Sequence, residues 1–122
     1  MQEQAPIQRP HNVYANYHAH VYFGPDTVEQ ARALCIEAGR RFSGVTVGRV
    51  HERLVGPHPH WSCQLAFDSA TFEPLIPWLE ENRHGLDVFV HGLTGDDLKD
   101  HTTHASWLGN SSVLHLEIFQ RG

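Results

Sequence analysis

The chain has 122 residues, 40% hydrophobic and 19% charged, a globular balance that sets aside intrinsic disorder and provides for one modest core. Its net charge of −5 argues against nucleic acid or an anionic membrane surface as the main partner, and no apolar run approaches the length of a membrane helix. The outlying number is 11 histidines.

The opening stretch MQEQAPIQRPHN has no apolar segment of the kind a signal peptide needs. Residues 1–12 are therefore read as a flexible polar lead-in, and 13–122 as a single domain. Asn16–Phe23 alternates: Tyr17, Ala19, Val21 and Phe23 fall on one face, and Asn16, His18, His20 and Tyr22 on the other. Period two predicts a strand with one apolar face. Pro25 ends it, Asp26 and Glu29 resemble a capping box, and Val28, Ala31, Leu34, Cys35, Ala38 and Phe42 recur at helical spacing up to Gly44. Val45–His51 is β-branched and predicts a second strand.

After a turn at ERLVGP, a third strand is predicted over His58–Phe67, with Trp61, Cys63, Leu65 and Phe67 inward and His58, His60, Ser62 and Gln64 outward. A second helix follows, with Phe72, Leu75, Ile76 and Leu79 at helical spacing. Pro74 is placed in its first turn, and Pro77 is awkward because it removes a backbone donor. His84 and Gly85 stop it, and Leu86–His91 makes a fourth strand with Asp87, Phe89 and His91 outward. The polar stretch from Gly92 to Asn110 is long for a loop, which points to function or a short helix, and Ser112–Phe119 reads as a last strand. Cys35 and Cys63 lack metal-type spacing and fall on core faces, as expected of reduced thiols in a cytoplasmic protein.

This order predicts an α+β chain of the ferredoxin-like βαββαβ kind, an antiparallel sheet with helices on one face and an extra C-terminal strand. Its conventional strand order is four, one, three, two, so the first strand lies between the third and fourth. The face away from the helices then receives His18 and His20, flanked by His58 and His60 on one side and His91 on the other. Neighbouring strands lie about 4.8 Å apart and alternate residues about 6.7 Å, so such imidazoles can converge on one ion. Iron, zinc, copper and nickel all accept them. A solitary outward histidine on a strand is ordinarily only a polar surface residue; five on one face are hard to explain that way. A sheet face left bare by helices also invites a second subunit. His101 and His104 share a helical face or sit in a solvated loop, and Asp96, Asp97 and Asp100 are turn residues more readily than ligands.

The motifs YHAHVYF, VGPHPHWSCQLAF and VFVHGLTGDDLKDHTTHASWLG, spread between about Val13 and Gly109, resemble the DOPA 4,5-dioxygenase family of small bacterial and fungal proteins. The resemblance implies extradiol cleavage of a catechol with molecular oxygen and a non-haem Fe(II), with Zn or Ni as ions a purified sample could carry. It also implies a ferredoxin-like fold that forms a homodimer of the dimeric α+β barrel type. The family's histidine-rich segments map onto His18, His20, His58, His60 and His91, with His104 a lesser candidate.

On that basis His20, His60 and His91 are expected to hold the metal, and His18 or His58 to act as acid and base. Arg49, with Arg53 as its alternate, and His104 are expected to bind substrate. No His-x-Asp or His-x-Glu stands inside the strand motifs, so a third ligand is either histidine or a carboxylate from elsewhere such as Glu117 or Asp87. Two other readings use the same face: a non-catalytic metal-binding module, and a cofactor-free oxygenase or small-ligand binder.

Overall fold

The computed structural model describes residues 7–119. Its elements are β1 (Asn16–Phe23), α1 (Val28–Arg41), β2 (Thr46–His51), β3 (Trp61–Asp68), α2 (Ser69–Asn82), β4 (Val88–Gly92), a one-turn α3 (Asp97–Asp100), β5 (Ser106–Leu108) and a 3-10 turn at Leu116–Phe119. The sheet order is β2-β3-β1-β4-β5, all antiparallel, which places β1 between β3 and β4 as the element pattern requires.

Alternation in β1 divides its side chains as predicted. Tyr17, Ala19, Val21 and Phe23 join Cys63, Leu65, Phe67, Val88, Val90 and Leu108 in a core closed by Ala31, Leu34, Cys35 and Ala38 of α1 and Phe72, Leu75, Ile76 and Leu79 of α2. Both long helices therefore cover one face. Both cysteines are free and buried in that core.

Several local expectations need correction. The N-cap of α1 is Thr27, whose side chain does not cap the helix; Thr27 Oγ1 instead accepts from the Gly24 amide, so Asp26 and Glu29 form no capping box. α2 is capped by Asp68, which accepts from the Thr71 amide, so Pro74 lies in its second turn and not its first. Pro74 and Pro77 are both inside α2 and both exposed. The carbonyls they leave unpaired face water, which is why the helix tolerates them. His84 and Gly85 do end the helix, both with positive φ (44° and 88°).

The third strand begins at Trp61, so His58 and His60 stand in the loop before it. The extra strand is Ser106–Leu108, pairing with β4 inside the stretch read as a loop, and not Ser112–Phe119. Residues 111–119 instead run across the second face of the sheet: Leu114 and Leu116 pack on Tyr22, Phe89 and Trp107, and the His115 amide donates to the Pro57 carbonyl. The face that was to lie bare is thus covered by the chain itself. Gln8, Arg9 and Asn12 of the expected lead-in are also engaged. Trp107 donates to the Gln8 carbonyl, Arg9 donates to the carbonyls of Trp107 and Gly109, and Asn12 donates to that of Ser69.

Candidate metal centre

Strand pairing builds the site. His18 lies opposite His91 in the β1–β4 register and His20 opposite Phe89, so the outward residues of two strands interleave. One ring nitrogen from each of His18, His20 and His91 falls within 4.8 Å of the others. His20 Nε2 and His91 Nε2 are 3.1 Å apart. Two imidazole nitrogens each about 2.1 Å from one ion are separated by about 3.0 Å at a right angle and about 3.4 Å at the tetrahedral angle, so this pair fits adjacent positions on a single metal. The spread of 4.8 Å slightly exceeds the span of one ion; His18, the least buried of the three, has the freedom to close it. No carboxylate joins this group among the described residues, and Asp87 is engaged with the Asn110 amide while Glu117 is exposed.

The surroundings prepare these rings as ligands. His91 Nδ1 donates to the Gly92 carbonyl at 3.0 Å, which leaves Nε2 with its lone pair toward His20. His20 and His91 are only 6% and 3% exposed. Burial disfavours the imidazolium, so the His91 pKa falls to about 4 and that of His20 well below the usual value, the latter further depressed by His58 and His91. His18 is lowered by burial and by His101. Neutral imidazoles need shed no proton before binding a cation.

The other expected residues fall in three places. His58 reaches the site from its loop: its ring packs 4.2 Å from that of His20, its Nδ1 lies 2.7 Å from the Tyr22 hydroxyl, and burial lowers its pKa to about 4. His60 lies outside the three-histidine group, exposed and hydrogen-bonded to Ser112. His104 lines a separate cavity of about 330 Å³ with Tyr14, His11 and Ser106; its buried Nδ1 is 3.6 Å from Asp100, too far for a hydrogen bond. Arg49 is exposed on edge strand β2, with β3 between it and β1. Arg53 is exposed in the loop after β2.

His101, read from the sequence only as sharing a helical face with His104 or lying in a solvated loop, joins the site. Its ring lies 4.5 Å from His91 and 5.5 Å from Phe89, with Phe119 4.7 Å away. Its Nδ1 donates to the Asp97 carbonyl at 2.7 Å, which leaves Nε2 free as an acceptor. α3 and its turn bring it there. Asp96 caps α3 through the Lys99 amide, and buried Asp100 accepts from the Thr94 amide, so these acids are structural. Beside the histidines Phe89, Tyr22 and Trp107 form an aromatic wall, with Phe89 and Trp107 stacked at 4.8 Å.

The Dopa 4,5-dioxygenase family model matches residues 17–118 of the chain, a span that contains all of these histidines. The chain belongs to the Dopa 4,5-dioxygenase family. It is 32% identical over 108 residues to the DOPA 4,5-dioxygenase of Amanita muscaria, covering 82% of this chain and 47% of that protein. It is also 32% identical over 116 residues to a 21.2 kDa protein of Botryotinia fuckeliana, covering 86% and 63%. The chain thus spans roughly half to just under two thirds of the length of these curated relatives. The crystal structure of a "putative dioxygenase" of Nostoc punctiforme superposes with a TM-score of 0.84 at 39% identity, over 88% of this chain and 92% of that one. No helix among the described residues of this family member is long and apolar enough to cross a membrane.

Proposed function

We propose that this chain is an extradiol dioxygenase that opens the ring of a catechol with molecular oxygen at an Fe(II) held by His18, His20 and His91. The observation that carries the reading is the convergence of three neutral, largely buried ring nitrogens within 4.8 Å, in a chain of the Dopa 4,5-dioxygenase family. Three protein ligands leave open positions for substrate and oxygen, as oxygenase chemistry needs. When bound, iron would supply Lewis acidity toward the catechol oxygens and the redox capacity to engage oxygen.

The protein's own part is positioning and proton handling. Phe89, Tyr22 and Trp107, packed under Leu114 and Leu116, hold the strand face beside the histidines rigid and apolar. His101, its Nδ1 hydrogen held by the Asp97 carbonyl, presents Nε2 to accept a hydroxyl proton, and neutral His58 stands against His20 as a hydrogen-bond donor. Residues 111–119 exclude water from the same face. The substrate is read as a catechol of the DOPA kind, and the protein as acting in the cytoplasm as a homodimer.

Anaerobic loading with Fe(II), addition of DOPA or a simpler catechol, and admission of oxygen should give oxygen uptake and a yellow ring-opened product. An Fe(II)-loaded protein that consumes no oxygen with any catechol would sink this reading in favour of a metal-binding module, and equal activity without metal would favour a cofactor-free oxygenase.

A further inference from the structure

We propose that Tyr22 is a positioning residue: its phenol donates to Nδ1 of His58 and thereby keeps the ring hydrogen on Nε2, so that His58 serves bound substrate as a hydrogen-bond donor and is not a ligand of the metal. The donor role rests on the catechol site proposed above; the tautomer does not.

Tyr22 is 3% exposed, and its hydroxyl meets His58 Nδ1 at 2.7 Å, its one hydrogen bond among the described residues. The proton between them has two possible owners. If His58 Nδ1 carried it, the phenol would accept through an oxygen whose lone pair is partly delocalised into its ring, and its own buried O–H would have no acceptor. A buried donor left unpaired is the costlier arrangement. With the phenol donating, both its buried O–H and His58 Nδ1 are satisfied.

A neutral imidazole that accepts at Nδ1 carries its hydrogen on Nε2. Such a nitrogen binds a metal only if its hydrogen moves to Nδ1, and in His58 the Tyr22 hydroxyl holds that atom as an acceptor. This separates His58 from its neighbours: His91 and His101 donate from Nδ1 to the carbonyls of Gly92 and Asp97 and so hold Nε2 as a lone pair. The same ring type is thus set to opposite tasks by what its Nδ1 meets. The exclusion of His58 from the group of three converging nitrogens agrees with this. Tyr22 occupies β1 two residues beyond His20, on the same face, so one strand supplies ligands and the residue that orients their neighbour.

The test reads the tautomer directly. Protein labelled with ¹⁵N-histidine and free of metal is examined at neutral pH by long-range ¹H–¹⁵N correlation. His58 should give the Nε2–H pattern in the native chain, and Tyr22→Phe should move it toward a mixture. An Nδ1–H pattern for His58 in the native chain overturns the proposal without recourse to any variant. On Fe(II)-loaded protein, Tyr22→Phe should lower kcat on the order of 10- to 100-fold, the range for partners that fix an imidazole's orientation, with iron content unchanged. Unaltered kcat, or loss of iron in His58→Gln, equally overturns it. If the native protein consumes no oxygen, the catechol reading fails on its own, and the spectrum alone decides the Tyr22–His58 assignment.

Discussion

His20 and His91, from neighbouring antiparallel strands, meet at their Nε2 atoms across 3.1 Å. The contact is a product of register. Pairing His18 with His91 sets His20 one step along the same face, and a shift of one residue in either strand would send an imidazole to the helix side. Removal of either partner should therefore remove the centre. His20→Ala and His91→Ala are expected to lose at least ten-fold in affinity for Fe(II) or Zn(II) by titration calorimetry, with stoichiometric metal lost on dialysis. His60→Ala should keep its metal, since His60 pairs with Ser112 outside the group.

The buried rings also make stability depend on pH. His58 and His91 titrate near 4 in the folded chain and near 6.5 when unfolded. Between those values the unfolded chain binds more protons, so stability is intact above about pH 6.5 and falls as pH drops toward 4. For the metal-free protein each ring should cost on the order of 2 kcal/mol by pH 5, a loss of several degrees in Tm. Thermal melts at pH 7.5 and 5 check it; replacing His91 with Gln should flatten the dependence.

Phe89 shares the histidine face. It is fully buried, stacks on Trp107 and lies 5.1 Å from the His91 ring. Phe89→Ala should cost about 3–5 kcal/mol in urea unfolding, and Phe89→Leu distinctly less. A variant that unfolded as late as the native chain would show that this aromatic cluster carries little of the stability.

Access to the centre passes the segment that covers it. Phe119 packs on His101, and His115 ties the segment to Pro57. Phe119→Ala should leave metal affinity near native while speeding removal of bound metal by a chelator several-fold. Stopped-flow chelation would measure this; an unchanged rate would mean that metal leaves by another route.

The residues that carry the fold were visible because periodicity is local. Alternation in β1 and β4 and helical spacing in α1 and α2 each assign faces without reference to the rest of the chain, and the order of elements then set β1 between β3 and β4. That placed His18, His20 and His91 on one face, although the expected ligand set had His60 in the place His18 takes in the converging group. His58 and His60 did not take their expected strand positions, since alternation runs on past the point where pairing stops: β2 and β3 pair only from Ser62 and His51 inward, and the loop before Trp61 turns the two rings apart. The last strand was misplaced for a related reason. SVLHLEIF has the alternation of a strand, but the edge of β4 is taken by Ser106–Leu108, and the apolar residues of 111–119 pack on the sheet as a cover.

The linear chain therefore determined which residues share a face, because backbone geometry fixes side-chain direction within an element. It could not determine which tautomer each imidazole holds, that His101 packs against His91, or that the second face is covered by residues 111–119. Those depend on contacts between segments far apart in sequence, where the partner of a ring nitrogen or of a sheet edge is set by the packing of the whole and by no spacing within it.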